Sequence, residues 1–435
     1  MGLNSSQDAT STGSTISDYI SRDHEIIDDH EVVSQEDLTE GYINPGWLSP
    51  EPPSGITVPR NVNRIADDPL QLCTDHYLLN VGPQHPSTHG ALRVVMELDG
   101  ERIMSGEAHV GQLHRGIEKL AEHRRYHQLA TLVDRADYVS GITAETATAL
   151  AVEQLAEIEV PARAQWLRCL MSEVNRVASH YMWMGPTGLD SGAMGIFLYM
   201  QHDREIFLDV LEEMTGQRLM FNYVRPGKVT GDLTPRAEQL LRDYLKIGTQ
   251  RLQEHWDSLF ASELFQVRTQ GIGVLTREQA LDYGATGFVL RASGVDWDLR
   301  RDRPYDAYNQ FEFDVMTRTN GDIFDRMVCR LDEVRQSLRI IEQCLDGMPE
   351  GPVAARVPKV LRVPEGEACG IVESARGEVG IHIYSDGSDR PLRMRYRPPT
   401  LYSLAMAESL LPGMMLADAI VGMGSFDFCF GEVDR

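Results

Sequence analysis

The sequence has no long apolar run. A bilayer span needs roughly 18 consecutive apolar residues, and the nearest window of the 435-residue chain, residues 410–424, contains Pro412 and Asp418. The start of the chain has no basic stretch followed by an apolar run, so a secretory signal is not expected, and its many acids argue against a mitochondrial presequence. We therefore expect a protein of a bacterial-type cytoplasm.

Closely spaced cysteines are also lacking. The six cysteines are separated by at least 15 positions, and no pair has CxxC spacing. Iron–sulfur clusters and structural zinc usually take two ligands from one tight turn. We therefore expect the chain to hold neither metal by itself, and most of the thiols to be buried, free and apolar in behaviour.

Basic residues are few: 41 lysines and arginines stand against 65 acids, a formal charge of −24. Such a surface repels phosphate backbones and anionic lipid headgroups, which makes nucleic acid and direct electrostatic membrane docking poor candidates for the main partner. The apolar share of 42% and the charged share of 24% are typical of a globular protein. The length allows two or three domains or one large elaborated one.

The beginning of the chain differs from the rest. Residues 1–60 contain eleven acids against Arg22 and Arg60, are rich in Ser, Thr and Pro, and show no sustained apolar periodicity. This composition is typical of a segment that is disordered alone or ordered only against a partner. We expect residues 1–70 to form an acidic extension and residues 71–435 to form the main domain.

The apolar pattern of the main domain predicts an α+β fold, with a mainly helical core flanked by small antiparallel β-sheets. Two apolar runs with a Gly/Pro/His segment between them predict strand, loop and strand over 77–98, and residues 379–396 predict a hairpin. Helical spacing covers residues 121–158, 162–184, 201–214, 236–263, 322–345 and 402–421, the last interrupted near Pro412 and Gly413.

Most familiar catalytic motifs are missing: there is no GxGxxG after a strand, no Walker A sequence, no GxSxG and no HExxH. What remains is the loop 82–90, GPQHPSTHG, which presents His85 and His89 between two strands. An imidazole there could transfer a proton near neutral pH, could only hydrogen-bond to the backbone, or, less favoured, could bind a metal. Tyr138 is a second candidate, and its alternative is a core tyrosine with a satisfied hydroxyl.

Nine sequence blocks then occur together in one order. They are NVGPQHPSTHG (80–90), HVGQLHRGIEKLAEHR (109–124), DRADYVSG (134–141), EVNRVASH (173–180), LRASGVDWDLRR (290–301), YNQFEFDV (308–315), GDIFDRM (321–327), ESARGEVG (373–380) and GEVDR (431–435). Over about residues 74–435 the chain closely resembles the D-type (49-kDa) subunit family of the respiratory NADH:quinone oxidoreductase, complex I. The resemblance implies a fold related to the large subunit of nickel–iron hydrogenases.

Those hydrogenases hold their metals with four cysteines, in RxCGxC and DPCxxC motifs. At the matching positions this chain has Asp137, Ser140, Cys429 and Glu432. Because nickel bound by four thiolates needs all four, the resemblance implies a metal pocket that has lost its metal and been reused. We expect no metal site and no hydrogenase activity.

The resemblance also implies the site residues. Reduction of a quinone builds negative charge on two oxygens at opposite ends of a ring, so each needs a proton donor. By motif matching, Tyr138 and His89 are the two donors and bind the quinone. Asp190 is the acid partner of His89, and Arg115 lies beside the iron–sulfur cluster of a neighbouring subunit. Without the resemblance, Arg115 would be read as an exposed partner of Glu118.

As a whole, the resemblance predicts a subunit of a proton-pumping NADH:quinone oxidoreductase. This subunit is expected to form the quinone headgroup site together with the B-type iron–sulfur subunit, and to couple quinone reduction to proton translocation. The [4Fe–4S] cluster is expected in that B-type subunit, FMN and NADH elsewhere in the complex, and no redox cofactor on this chain. The implied partners are subunits B, C, I and H, of which H lies in the membrane, with the chain peripheral on the cytoplasmic face of the bacterial membrane.

Two alternatives remain: a non-catalytic scaffold that docks the B-type subunit to the membrane arm, and a component of a related ferredoxin-driven or hydrogenase-type assembly. One departure from the family pattern is Met220, which stands where relatives commonly have a histidine. Because methionine does not titrate, pH coupling through that position is in doubt.

Overall fold

A computed structural model of the chain describes residues 76–84 and 90–435. The acidic extension expected for residues 1–70 lies outside the described residues, as do His85 and His89, so the domain boundary near residue 70 stays a prediction. Within the described ranges, no helix is both long and apolar enough to cross a membrane.

The helices, in chain order, are α1 Ile117–Ala121, α2 Ala130–Val133, α3 Gly141–Ala156, α4 Ala162–Asp190, α5 Met194–Thr215, α6 Pro235–His255, α7 Glu263–Thr269, α8 Arg277–Asp282, α9 Gly287–Ala292, α10 Leu299–Asp302, α11 Ile323–Gly347, α12 Pro399–Leu410, α13 Leu416–Gly424 and α14 Phe430–Asp434. The strands are β1 Tyr77–Val81, β2 Arg93–Asp99, β3 Arg102–His109, β4 Val224–Arg225, β5 Lys228–Val229, β6 Gly366–Ser374, β7 Gly377–Ser385 and β8 Pro391–Arg397. The predicted α+β class, a helical core flanked by small antiparallel sheets, is confirmed.

The core is built around α4, which packs against α5 and α11, while α6 packs against both of those helices. The apolar face predicted on α4 is buried, and its members are Leu167, Leu170, Met171, Val174, Val177, Ala178 and Tyr181. The spacing of three and four residues places these side chains on one stripe, which explains why the stripe faces the other core helices.

Two three-stranded antiparallel sheets flank this core, in the orders β1-β2-β3 and β6-β7-β8. The predicted strand pair and the predicted hairpin are both present, and β3 and β6 each add a strand that the sequence pattern had not predicted. Sheet β6–β8 packs on α3 at very short range: a Cβ at Gly370 would lie 1.9 Å from the carbonyl oxygen of Ala147. Glycine is therefore required where this strand crosses the helix.

The helix predicted over 121–158 is wrong as a single run. The chain is helical in α1, α2 and α3 but leaves the α-helical path at residues 122–129, which include a 3₁₀ turn, and again at residues 134–140. We call residues 134–140 the Tyr138 turn. The predicted helix over 236–263 likewise ends at His255 and continues as a π-helical turn, Trp256–Phe260. The predicted interruption of the last helix is confirmed, because α12 ends before Pro412 and α13 begins after Gly413.

Candidate functional site

The Tyr138 turn is fixed by its own buried polar groups. The Asp137 carboxylate is fully buried and accepts a hydrogen bond from the backbone N–H of Ser140 at 3.0 Å. From α4, the side-chain amide of Asn175 donates to a backbone carbonyl of the same turn at 2.9 Å. Because these bonds hold the backbone, the half-buried side chain of Tyr138 is presented in one direction.

The phenol of Tyr138 lies between two glycines. A Cβ at Gly431 would lie 3.1 Å from Tyr138 Cδ1 and 2.5 Å from the Ala136 carbonyl oxygen. A Cβ at Gly90 would lie 3.5 Å from the Tyr138 hydroxyl oxygen and 2.9 Å from Phe430 Cδ2. Burial, and then the neighbouring Cys429 thiol, raise the pKa of Tyr138 above its usual value. Tyr138 is therefore a neutral phenol at physiological pH and can act as a proton donor.

Beneath the Tyr138 turn lies a chain of four buried side chains of alternating charge. Arg376 Nη1 lies 2.8 Å from Asp137 Oδ1, and its Nη2 lies 3.1 Å from Asp427 Oδ1. Arg330 Nη1 then bonds Asp427 Oδ2 at 2.7 Å. Burial works to raise the pKa of Asp427, but Arg376 and Arg330 outweigh it and hold that pKa below its ordinary value. Asp427 is therefore ionised at neutral pH and paired with both arginines.

Arg330 is held by aromatic rings as well as by Asp427. Its guanidinium carbon lies 3.8 Å from the centroid of Trp183 and 3.6 Å from that of Phe288. Burial lowers the pKa of Arg330 to about 10, so it stays a cation at neutral pH. Aromatic faces stabilise a cation that water cannot reach.

The four positions that match the hydrogenase cysteines do come together, with different chemistry. The Cys429 thiol contacts the Ala136 carbonyl at 3.4 Å, and burial followed by the negative Asp137 raises its pKa well above the usual value. Glu432 accepts hydrogen bonds from the backbone N–H and the hydroxyl of Thr400. Burial and then Asp137 raise the pKa of Glu432 to about 8, so it is largely protonated at pH 7.

The cation in this pocket is Arg376, whose guanidinium pairs with Asp137 and neutralises the acids there. Ser140, at one of the matched cysteine positions, lies 3.5 Å from the Ser374 hydroxyl. In the part of the chain that the structure describes, no three His, Cys, Asp or Glu side chains are arranged to hold a metal ion. Only one of the four matched positions is a thiol, and Arg376 already pairs with Asp137 there, so the residues present do not fit the four-thiolate metal centre of the hydrogenase comparison.

Helix α14 links Tyr138 to the loop that carries Arg115. Its first residues pack on Tyr138, and the carboxylate of Asp434, its last residue, accepts the backbone N–H groups of Gly111 (2.7 Å) and Leu113 (2.6 Å). Arg115 follows in this loop and is exposed. Glu118, the partner that Arg115 would have without the resemblance, pairs with Arg393 at 2.8 Å.

The remaining predicted residues lie apart from Tyr138 in the sequence. Asp190 ends α4, and its carbonyl oxygen accepts a long hydrogen bond from Arg268 at 3.5 Å. Its pairing with His89 stays a prediction, because residues 85–89 lie outside the described ranges. Met220 lines a separate cavity of about 410 Å³ together with Arg135.

Sequence reasoning found Asp137, Cys429 and Glu432 but missed the two arginines that pair with the buried acids. Arg376 stands inside the block ESARGEVG that carried the resemblance, yet nothing in the spacing shows which acid it meets. Arg330 lies on α11 in an ordinary amphipathic pattern. Long-range pairing of this kind can be read only from the fold.

Comparison with known proteins agrees with the resemblance. The family described as "Respiratory-chain NADH dehydrogenase, 49 Kd subunit" matches residues 190–362 and 355–435. A D-type NADH-quinone oxidoreductase subunit of Solibacter usitatus, the one numbered 2, is 40% identical over 368 residues, which is 85% of this chain and 100% of that protein. The D-type subunits of the NADH-quinone oxidoreductases of Bacillus mycoides and Geobacillus kaustophilus are both 43% identical, over 362 and 366 residues, or 83% and 84% of this chain and 99% and 100% of theirs.

Proposed function

The chain belongs to the family of the 49-kDa subunit of respiratory-chain NADH dehydrogenase and is thus part of an oxidoreductase complex, and from this membership we propose that it forms the quinone headgroup site of that complex. The site lies at the interface with the B-type iron–sulfur subunit, and quinone reduction there is coupled to proton translocation. The observation that carries the proposal is Tyr138, a neutral phenol against Gly90, the residue that directly follows His89 in the sequence.

The chemistry requires two electrons and two protons for each quinone reduced to quinol. The [4Fe–4S] cluster expected in the B-type subunit would supply the electrons, and Arg115 would place a fixed positive charge beside it. Tyr138 donates a hydrogen bond and then a proton to one quinone oxygen, and His89 does so to the other. Asp190 orients His89 and favours its protonated form. When His89 gives up its proton, the charge that faces Asp190 changes, and this change starts the coupling to proton translocation.

The remaining cofactors and partners follow from this role. FMN and NADH bind elsewhere in the complex, and this chain contacts subunits B, C, I and H, the last in the membrane, on the cytoplasmic face of the bacterial membrane. The exposed apolar side chains support contacts with several neighbouring subunits. Large apolar side chains are exposed on α5 and α7, namely Met194, Leu198, Tyr199, Leu264 and Val267, each more than half accessible. Apolar clusters of this kind mark interaction surfaces.

The test is Tyr138→Phe in the assembled, membrane-bound enzyme. Loss of a general acid should lower NADH:quinone turnover by about 100-fold or more, and His89→Ala should do the same. NADH:ferricyanide activity, which does not need the quinone site, should be unchanged. Tyr384→Phe, at an exposed tyrosine of β7, is the matched control.

Unchanged quinone turnover in both Tyr138→Phe and His89→Ala would refute the proposed site. If these substitutions lowered activity only in proportion to lost assembly, the scaffold role would be favoured instead. Quantifying the B-type subunit in each purified complex separates the two results.

A further inference from the structure

A second acidic pair lies on the other side of the Tyr138 turn. Asp134 begins the turn, and Glu145 lies one helical turn into α3; their accessible fractions are 0% and 1%. The two carboxyl groups lie within hydrogen-bonding reach of one another. The Asp134 carboxyl sits so close to the start of α3 that a Cβ at Gly141 would lie 1.8 Å from its Oδ1.

The donors around this pair leave one oxygen of each acid without a protein N–H or O–H. Asp134 Oδ2 accepts the backbone N–H of Asn222 at 3.2 Å, and Glu145 Oε2 accepts those of Tyr223 (2.8 Å) and Val224 (2.7 Å). Asp134 Oδ1 and Glu145 Oε1 receive no hydrogen bond from any residue that the structure describes. Two ionised carboxylates cannot bond each other, because both only accept. The contact therefore needs a proton held by the pair.

Titration of the pair agrees with this geometry. Burial raises the pKa of Asp134 to about 6, against the lowering effect of backbone N–H groups and of Arg135. Burial, and then the charge of Asp134, raise the pKa of Glu145 well above its usual value. Arg135 from the turn itself and Arg225 from β4 are the cations that line the neighbouring cavity of about 410 Å³. The pair therefore keeps one proton at neutral pH and loses it in alkaline solution.

The pair joins three parts of the fold: the Tyr138 turn through Asp134, helix α3 through Glu145, and the backbone of residues 221–224 through both acids. Losing the proton would place two carboxylates against each other in a buried site, where like charges repel strongly. We propose that the proton shared by Asp134 and Glu145 fastens the Tyr138 turn to α3, so that these two acids are positioning residues for Tyr138. The cavity of about 410 Å³ is lined in part by Asn222, whose backbone N–H binds Asp134.

This inference rests on the proposed function, because it assumes that Tyr138 serves quinone reduction. It predicts that quinone turnover of the assembled complex falls on the alkaline side as the shared proton leaves. An amide in place of one acid keeps a permanent N–H donor in the contact. In Glu145→Gln and Asp134→Asn the alkaline fall should therefore move to higher pH, by about one pH unit or more, whereas Glu145→Ala should lower turnover at every pH.

The experiment measures the pH profiles of NADH:quinone and NADH:ferricyanide activity in complexes carrying Glu145→Gln, Asp134→Asn or Glu145→Ala. Glu159→Gln, an exposed acid just beyond α3, is the control and should titrate like the wild type. Infrared difference spectra of wild type minus each amide variant, in which the band of the protonated Glu432 cancels, should show a protonated-carboxyl band at neutral pH that disappears in alkali.

Amide variants that titrate like the wild type, or a wild-type profile without an alkaline fall, would overturn the positioning role. Difference spectra without this band in both amide variants would overturn the shared proton itself. Failure of the proposed function is a separate result: Tyr138→Phe would then keep full quinone turnover, while the infrared titration of the pair would be unaffected.

Discussion

Replacing Arg376 by methionine tests the buried chain of charges beneath Tyr138. The guanidinium makes two hydrogen bonds, to Asp137 Oδ1 (2.8 Å) and to the Asp427 carbonyl oxygen (3.2 Å), and an ion pair with Asp427 Oδ1 (3.1 Å). Bonds to charged groups contribute about 1.5–3 kcal/mol each, but Asp427 keeps Arg330 as a partner. The net loss should therefore lie near the value for one broken buried ion pair, about 3–5 kcal/mol in the free energy of unfolding.

The informative comparison is the double variant Arg376→Met/Asp137→Asn. Asparagine has nearly the shape of aspartate but carries no charge to leave unpaired, so the double variant should be about 1–3 kcal/mol more stable than Arg376→Met alone. Urea unfolding of the purified subunit, followed by circular dichroism, measures both. The exposed Arg124→Met is the control and should change stability little.

A double variant no more stable than Arg376→Met would refute the reasoning, because Asp137 would then not be the charge that Arg376 compensates. The change of unfolding free energy at acidic pH gives a further check on the direction of the effect. The pKa of Asp427 is lowered in the folded protein, so its contribution to stability is present above the unfolded pKa near 4 and is lost as pH falls. Arg376→Met should weaken that loss.

Two further variants probe the same pocket. The raised pKa of Glu432 means that its contribution to stability is full below its unfolded pKa and is lost as pH rises through about 8. Glu432→Gln should therefore flatten the fall of unfolding free energy between about pH 4.5 and about pH 8, and an unchanged slope there would contradict the shift. Gly90→Ala places a methyl group 2.9 Å from Phe430 Cδ2 and 3.5 Å from the Tyr138 hydroxyl. It should cost about 1–3 kcal/mol and lower quinone turnover more than ferricyanide activity, whereas an equal loss of both would contradict a local effect.

How much could be predicted from the sequence depended on whether the signal was local. The apolar stripe on α4 and the helix break at Pro412 could be predicted because helical periodicity and proline both act within a few residues of the chain. The Tyr138 turn was not, because the apolar pattern of 121–158 continues through it. What breaks the helix there is Asp137, whose carboxylate caps the N–H of Ser140 and competes with helical hydrogen bonding.

The candidate site shows the same difference between local signals and long-range contacts. Tyr138, His89, Asp190 and Arg115 were named by motif matching, and the fold supplies surroundings for Tyr138 and a tether for the Arg115 loop. The Asp134–Glu145 pair could not have been found from spacing, since eleven positions separate the acids. Only the fold shows that both carboxyl groups meet away from water beside the backbone of residues 221–224.

The ion pairs of Arg376 and Arg330 also bear on how this chain matures. A pocket of several thiolates gains its stability from the ion it binds, so that folding and metal loading are one equilibrium. Here two arginines match Asp137 and Asp427 charge for charge, while the raised pKa values of Cys429 and Glu432 keep that thiol and that acid largely protonated at pH 7. In the part of this pocket that the structure describes, the native state thus carries its own counter-ions, and the charges of Asp137 and Asp427 are balanced by the protein itself.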